Sequence, residues 1–373
     1  MSTHHGGTVT LKPISEIAKH YKNLIPANIP ATYALKPVIK KVASGENIRN
    51  GVVAFRDFLY IFCDRLISDG HLYAKPMKKP ANMTDYSFLH NVTNLLVETG
   101  YYGKLAKNNS SLSITKIPSC TASTDEKGKV TKPRISVSGL TECLRFLTLC
   151  GFVFKGIDLD AKTPDIPELE VSYPDNPILL TGLKAMSIAD MELRASRRYW
   201  NDNYLLRCDY RLLKAEDTDI LDILKDFLHP LPKNLQKLAV KLHQRYTDMG
   251  MICVMNPRDV LFDYSYIKDS RRVLSSQDIY SRRVWRLSIS LRDGYCLFIR
   301  AKNTDKYADV IKKFPLPLQK IIAKGYGCDR KLRNERCQQG CQGIRIPIDN
   351  SLLGISINIE TWLDNEVSCL GRK

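Results

Sequence analysis

The sequence predicts an α+β protein: a mainly helical N-terminal region followed by an α+β domain with antiparallel strands and a cysteine-bearing loop. Three observations predict this class. Apolar residues recur at helical spacing through much of residues 51–150. Two apolar strand patterns flank a turn at Asp293-Gly294. Helical patterns lie on both sides of that pair, as expected for a sheet covered by helices.

Composition restricts the class of protein. The 373 residues are 44% hydrophobic and 25% charged, which is typical of folded chains and excludes a collagen-like or wholly disordered protein. The N-terminus lacks the pattern of a signal peptide, and the longest apolar runs are shorter than the roughly 18 residues of a membrane span. We therefore expect no membrane partner and a cytoplasmic location.

The N-terminal region begins with a partly helical lead-in segment, residues 1–50. Two helices are predicted after it, the first ending at Asp69-Gly70 and the second running from a cap at Thr84 to Gly100. Their apolar stripes consist of Phe55, Phe58, Leu59, Phe62 and Leu66, and of Phe88, Leu89, Val92, Leu95 and Leu96. A hairpin with a polar, basic turn follows over residues 101–115.

Helices followed by a hairpin with a basic tip resemble the winged-helix pattern, so we interpret residues 51–158 as a winged-helix-like region. It holds one unit at 51–116 and a second, weaker unit at 134–158, in which a helix from Ser138 to Cys150 is followed by a strand at 152–157. Lys104 and Lys155 each follow a glycine by four residues, which gives the units an offset of 51 residues. This offset indicates either an internal duplication or a coincidence between two generic helix–Gly–strand segments.

A Pro-rich, acidic segment at 159–178 predicts a linker, and residues 179–373 then form the α+β domain. Within that domain we predict a helix from Leu180 to Arg198 and a strand at 206–212. Two further helices are predicted at 217–227 and 234–246. The strands 284–291 and 295–301 form the predicted hairpin.

Net charge is the most informative bulk property. The chain carries +17, and residues 1–150 hold 20 basic against 10 acidic groups, whereas residues 151–250 hold 14 against 16. Residues 251–373 are again basic, with 22 against 13. Two basic ends suit a polyanion such as nucleic acid, and the alternative is charge that serves solubility alone.

The predicted helix from Thr84 and the hairpin after it supply one candidate nucleic-acid site. If the helix enters a major groove, its polar residues would reach base edges and the hairpin tip would reach phosphates. The candidate residues are His90, Asn91, Thr93, Asn94, Lys104, Lys107 and Asn108. The alternative is an ordinary solvated helix face.

A second candidate site lies where tyrosines and arginines interleave over residues 264–286. Guanidinium groups make forked contacts with phosphate, and aromatic rings stack on bases. The candidate residues are Arg271, Arg272, Arg282 and Arg283. The alternative is an exposed loop in which arginine stems cover apolar surface.

Eleven cysteines, several of them in apolar runs, indicate free thiols in a reducing compartment. Cys328, Cys337 and Cys341 lie close together among glycines and are candidate zinc ligands, with Cys369 or a strand cysteine such as Cys296 as the fourth. Their spacing matches no zinc signature with two close cysteine pairs, so structural or redox-paired thiols are the alternative.

Signatures of enzymes are absent from the sequence, including a phosphate loop, a dinucleotide fingerprint, a His-Glu-x-x-His motif and a Gly-x-Ser-x-Gly elbow. The favoured hypothesis is therefore a non-enzymatic nucleic-acid-binding protein, with double-stranded DNA as partner and regulation as its role. The alternatives are a zinc- or small-ligand-binding sensor that also mediates assembly, and an enzyme whose active site is assembled only by the fold.

The C-terminal part carries the patterns Gly325-Tyr326-Gly327-Cys328-Asp329, Gly340-Cys341-Gln342-Gly343 and Trp362-Leu363-Asp364-Asn365-Glu366. With these patterns, roughly the last 190 residues resemble a family of uncharacterised proteins from anaerobic Gram-positive bacteria. The resemblance implies a bacterial cytosolic protein, and it transfers no functional residues because no activity is established for that family.

Overall fold

A computed structural model describes residues 9–124, 130–160, 169–197, 204–256, 260–266, 283–300, 303–326 and 344–370. The chain divides into two compact units, Met1–Asp217 and Thr218–Lys373. Helices dominate unit 1 and antiparallel strands form the centre of unit 2, so the predicted α+β class is confirmed. No helix among the described residues is both long and apolar enough to cross a membrane.

Unit 1 combines helices with a four-stranded sheet and a short two-stranded ribbon. Its helices are α1 (Ile14–Leu24), α2 (Gly45–Asp69), α3 (Ser87–Tyr102), α4 (Val137–Leu149) and α5 (Leu179–Arg197). Its strands are β1 (Lys104–Leu105), β2 (Ser111–Ile114), β3 (Ser123–Thr124), β4 (Val130–Thr131), β5 (Val153–Lys155) and β6 (Leu169–Ser172). Short 3-10 turns lie at Ile39–Lys41, Gly70–Tyr73, Pro118–Cys120 and Tyr210–Leu213.

Helix α5 is the centre of unit 1, because α2 and α3 both pack against it at glycines. A Cβ on Gly182 would lie 2.0 Å from the Gly51 carbonyl oxygen, so α2 and α5 touch through their backbones. A Cβ on Gly100 would lie 2.2 Å from Ser187 Oγ, which places α3 equally close to α5. These contacts leave α5 buried along most of its described length.

The four-stranded sheet of unit 1 has the order β1-β2-β6-β5 and is antiparallel throughout. Strands β1 and β2 follow α3, and β5 and β6 follow α4, so the sheet joins two helix–hairpin units through β2 and β6. Leu112 pairs with Val171 and Ile114 pairs with Leu169. On β2 and β6, Leu112, Ile114, Leu169 and Val171 are buried, and the residues that alternate with them are partly exposed. One face of the sheet is therefore open.

Unit 2 contains a five-stranded antiparallel sheet of order β11-β10-β9-β8-β7. The strands are β7 (Ile252–Asn256), β8 (Leu261–Ser265), β9 (Arg283–Ser290), β10 (Gly294–Ile299) and β11 (Ile344–Pro347). The helices are α6 (Ile220–Leu228), α7 (Lys233–Asp248), α8 (Ala308–Ile311), α9 (Leu316–Tyr326), α10 (Asn350–Gly354) and α11 (Ser356–Leu370), with a 3-10 turn at Thr304–Tyr307. The core includes Trp285, which is fully buried and stacks on Tyr264 with ring centroids 3.6 Å apart.

Most predicted elements are present. Helices α2, α3, α4, α5, α6 and α7 match predicted helices within a few residues, apart from the start of α2, which lies six residues earlier than expected. The hairpin at Asp293-Gly294 is confirmed as β9–β10. The lead-in segment contains α1, an amphipathic helix whose Ile14, Ile17 and Leu24 are buried.

Two expectations differ from the structure. Residues 206–212 form turns and a 3-10 segment instead of a strand. Arg207 and Asp209 are as buried as Leu206, Cys208 and Tyr210, so the segment lacks the exposed face of the predicted alternating strand. The boundary between the units follows Asp217, not the segment 159–178. Part of that segment is β6, which is paired on both sides and joins the two hairpins of unit 1.

Candidate nucleic-acid interface

The polar residues predicted to form an exposed face of α3 are packed inside unit 1, because α3 lies between α5 and α4. Thr93 is 5% exposed and its hydroxyl donates to the Leu89 carbonyl at 2.7 Å. Asn94 is half-buried and its side-chain oxygen accepts from Arg194 at 3.1 Å. These contacts satisfy the polar groups of Thr93 and Asn94 within unit 1. The polar pattern of the sequence instead predicts that these side chains face a DNA groove.

His90 and Asn91 are also half-buried on α3. His90 Nε2 lies 3.2 Å from an Asp85 carboxylate oxygen. Burial raises the pKa of Asp85, but hydrogen bonds from the Ala81 and Asn82 backbone N–H groups and from His90 outweigh it and leave that pKa below its usual value. Asp85 thus acts as a local structural anchor at the start of α3.

The β1–β2 hairpin has the exposure that the prediction requires, with Lys104 on strand β1 and Lys107 and Asn108 in the turn. Lys104, Lys107 and Asn108 are exposed, and neither lysine has an acidic partner within ion-pair distance in the part of the chain that the structure describes. The Asn108 side-chain oxygen accepts hydrogen bonds from both the N–H and the hydroxyl of Ser110. Asn108 therefore shapes the turn, and the two lysines are the groups available to an anion.

An exposed aromatic pair lies beside this hairpin and was missed by the sequence reasoning. Tyr101 and Tyr102 end α3, are 38% and 45% exposed, and meet edge to face with ring centroids 4.9 Å apart. Lys184 of α5 donates to the Gly103 carbonyl at 2.6 Å and to the Gly100 carbonyl at 3.3 Å, which caps the end of α3. Two adjacent tyrosines before a helix-ending glycine were the available signal.

A third cation contributes to the electrostatics of this surface. Burial and then Glu98 raise the pKa of Tyr102, and the charge of Arg134 opposes the rise. The Glu98 carboxylate is buried and accepts two hydrogen bonds from Ser119, at 2.8 Å and 2.6 Å. We use the name tyrosine–lysine surface for Tyr101, Tyr102, Lys104, Lys107 and Arg134.

An open cleft of about 770 Å³ lies along the first turns of α4. Its lining comprises Tyr73, Ser136, Val137, Ser138, Thr141, Glu142 and Arg145. Burial raises the pKa of Glu142, and the nearby charge of Lys75 opposes that rise. The Arg145 guanidinium donates to Asp160 at 2.6 Å, so the cleft's cation is already paired.

The second predicted site, in unit 2, is described only in part. Arg271, Arg272 and Arg282 lie outside the described residues. Arg283 is 3% exposed, pairs with Asp263 at 3.2 Å and lies over the Phe298 ring at 4.8 Å. Its charge is therefore held inside the sheet of unit 2, which differs from the exposed phosphate contact that the interleaved pattern indicates.

The cysteines separate into two groups. Cys328, Cys337 and Cys341 lie outside the described residues, and Cys369 is half-buried on α11. Among the residues that the structure describes, no group of three or more His, Cys, Asp or Glu side chains is placed to hold a metal ion. Burial raises the pKa of the buried Cys63 and Cys150 thiols to about 12, so these thiols stay protonated at neutral pH.

Fold and site together define an α+β protein with a mixed aromatic and basic surface on its N-terminal unit. Comparisons of the chain with protein-family models, with curated proteins and with solved structures find no match.

Proposed function

We propose that the protein is a non-enzymatic nucleic-acid-binding protein, with double-stranded DNA as the favoured partner and the tyrosine–lysine surface as the site of contact. The observation that carries the proposal is the exposed Tyr101–Tyr102 pair beside Lys104 and Lys107, which have no acidic partner among the described residues. The net charge of +17 supports the same class of partner.

The chemistry of the surface fits a polyanion that carries flat rings. Lysine ammonium groups neutralise phosphates and release condensed counterions, which gives affinity without sequence preference. Tyrosine hydroxyls donate to phosphate or sugar, and exposed tyrosine rings stack on unpaired bases. Because α3 is packed on two sides, this mode relies on the hairpin and the end of α3 instead of a groove-reading face of that helix.

The test is fluorescence-anisotropy binding to a mixed-sequence DNA duplex, single-stranded DNA and RNA, at two salt concentrations. The variant Lys104→Glu/Lys107→Glu places two negative charges on the surface. The matched control is Lys40→Glu/Lys41→Glu, which makes the same change at two exposed lysines of the Ile39–Lys41 turn. We expect salt-sensitive binding by wild type and control, and loss of at least tenfold in affinity for the variant.

The proposal is wrong if wild type binds none of the three nucleic acids at low salt, or if both double variants lose affinity equally. The variant Tyr101→Ala/Tyr102→Ala then separates the contribution of the tyrosine rings from that of the lysine charges. Loss of single-strand affinity with little change for duplex would assign the rings to stacking on unpaired bases.

A further inference from the structure

We propose that the open face of the β1-β2-β6-β5 sheet is a pseudo-two-fold surface that contacts both backbones of a nucleic-acid duplex, through Lys104 on one edge and Lys155 on the other. This inference rests on the proposed function and names the sheet face and the two edges that would hold the duplex. It also adds Lys155, which the tyrosine–lysine surface does not include.

The symmetry follows from the strand register. Leu112 pairs with Val171 and Ile114 with Leu169, so a two-fold axis between β2 and β6 exchanges Leu112 with Leu169 and Ile114 with Val171.

The same two-fold axis relates the outer strands β1 and β5. Lys104 pairs with Ser113 and Lys155 pairs with Glu170, which makes Lys104 equivalent to Lys155 and Ser113 equivalent to Glu170. The two lysines are 51 residues apart and the equivalent residues Ser113 and Glu170 are 57 apart, so the second unit has six more residues between its strands. The equivalent register supports an internal duplication.

The two faces of the sheet differ in character. Leu112, Ile114, Leu169 and Val171 are buried on the inner face, beneath the helices. The outer face carries Ser111, Ser113, Glu170 and Ser172 on the two central strands, with Lys104, Lys155 and the exposed Val153 on the edge strands. Three serines and one glutamate occupy the middle of this face, and a lysine lies on each edge strand.

The spacing of the lysines suits a duplex. Neighbouring strands lie about 4.8 Å apart, so β1 and β5, three steps from each other, are separated by about 14 Å. The two phosphate backbones of DNA border grooves roughly 6 Å and 12 Å wide, a span that two flexible lysine side chains on these edges can reach. A single strand offers one backbone and engages one edge only.

The two halves of the surface are not equally basic. Glu170 Oε1 lies 3.8 Å from Lys155 Nζ, with both side chains largely exposed, whereas the equivalent partner of Lys104 is the neutral Ser113. A carboxylate beside Lys155 repels phosphate and lowers the net charge of that edge. We therefore expect Lys155 to contribute less to duplex binding than Lys104, and Glu170→Ser to raise the contribution of Lys155.

The experiment measures duplex affinity as a function of salt for wild type, Lys104→Ala, Lys155→Ala, Glu170→Ser and the control Lys40→Ala. Each phosphate contact contributes about 0.9 to the slope of log affinity against log salt. For Lys104→Ala and Lys155→Ala we expect the magnitude of this slope to be smaller by up to about 0.9. The ratio of wild-type to variant affinity then falls by up to about 3.5-fold between 50 and 200 mM salt. Glu170→Ser should bind more tightly than wild type, and Lys155→Ala should leave single-strand affinity unchanged.

The outcomes separate the two proposals. If Lys104→Ala weakens duplex binding and Lys155→Ala matches Lys40→Ala, the sheet face is not the contact surface and the proposed function stands. If wild type binds no nucleic acid, the proposed function itself is wrong. Far-UV circular dichroism of each variant confirms that the exposed substitutions leave the fold intact.

Discussion

Gly182→Ala tests the packing at the centre of unit 1. The added Cβ would lie 2.0 Å from the Gly51 carbonyl oxygen and 2.7 Å from the Val52 nitrogen, and backbone atoms cannot rotate away as a side chain does. An ordinary contact of 3.4 Å requires α2 and α5 to separate by about 1.4 Å, the difference between that distance and 2.0 Å. The substitution therefore opens the helix interface instead of adding a local clash.

The magnitude follows from that separation. A gap of 0.5–1 Å already forfeits a quarter to a half of each van der Waals contact, and overpacking of a core costs about 1–3 kcal/mol. The higher helix propensity of Ala than of Gly offsets at most about 1 kcal/mol of this cost. Because the shift exceeds 1 Å along a long interface, the cost lies at the upper end of that range, and we expect the free energy of unfolding of unit 1 to fall by about 2–3 kcal/mol.

The assay is urea unfolding followed by far-UV circular dichroism, with Gly45→Ala as the matched control in α2. A Cβ on Gly45 would meet mainly the flexible end of Arg49, at 3.3 Å. We expect the control to unfold at nearly the wild-type urea midpoint and Gly182→Ala at a clearly lower one. Equal midpoints for the two variants would refute the close backbone contact of α2 with α5.

Two further predictions concern pH and metal. Burial and then Arg207 lower the pKa of His20 from 6.5 to about 4, so the folded state binds fewer protons than the unfolded state within that window. Stability should therefore fall as the pH drops from 6.5 towards 4, by about 2 kcal/mol at pH 5. His20→Gln should reduce the difference between the urea midpoints measured at pH 7 and pH 5. An unchanged difference would contradict the role of His20 in this pH dependence. For the zinc hypothesis, elemental analysis of protein purified under reducing conditions should find one zinc per chain, lost in Cys337→Ser/Cys341→Ser, and absence of zinc from wild type would exclude it.

Local patterns predicted much of the fold. The helical spacing of Phe55, Phe58 and Phe62 identified α2, and Asp293-Gly294 identified the β9–β10 hairpin, because both signals arise within a short stretch of chain. The 51-residue offset of Lys104 and Lys155 likewise indicated two comparable helix–Gly–strand segments, whereas the second hairpin was not predicted because β6 lies in the segment interpreted as a linker. What joins those hairpins, the pairing of β2 with β6, is a contact between distant segments and has no local signature.

The candidate site was harder to predict for the same reason. Thr93 and Asn94 have the composition of a solvated face, yet α5, which lies about 90 residues further along the chain, packs over that side of α3. The sequence around Arg283 predicts a phosphate contact, whereas in the structure Arg283 pairs with Asp263 on the neighbouring strand. The hairpin lysines were predictable because a turn of polar residues is exposed wherever the rest of the chain lies.

The pairing of β2 with β6 also has a consequence for how unit 1 can be divided. Each hairpin has one strand whose outer N–H and C=O groups are satisfied only by the other hairpin. A fragment containing a single helix–hairpin half would expose that strand as an open edge, which is a template for pairing with another molecule. We therefore expect each half of unit 1 to cover an aggregation-prone strand edge of the other, and a fragment with one half to associate with further copies.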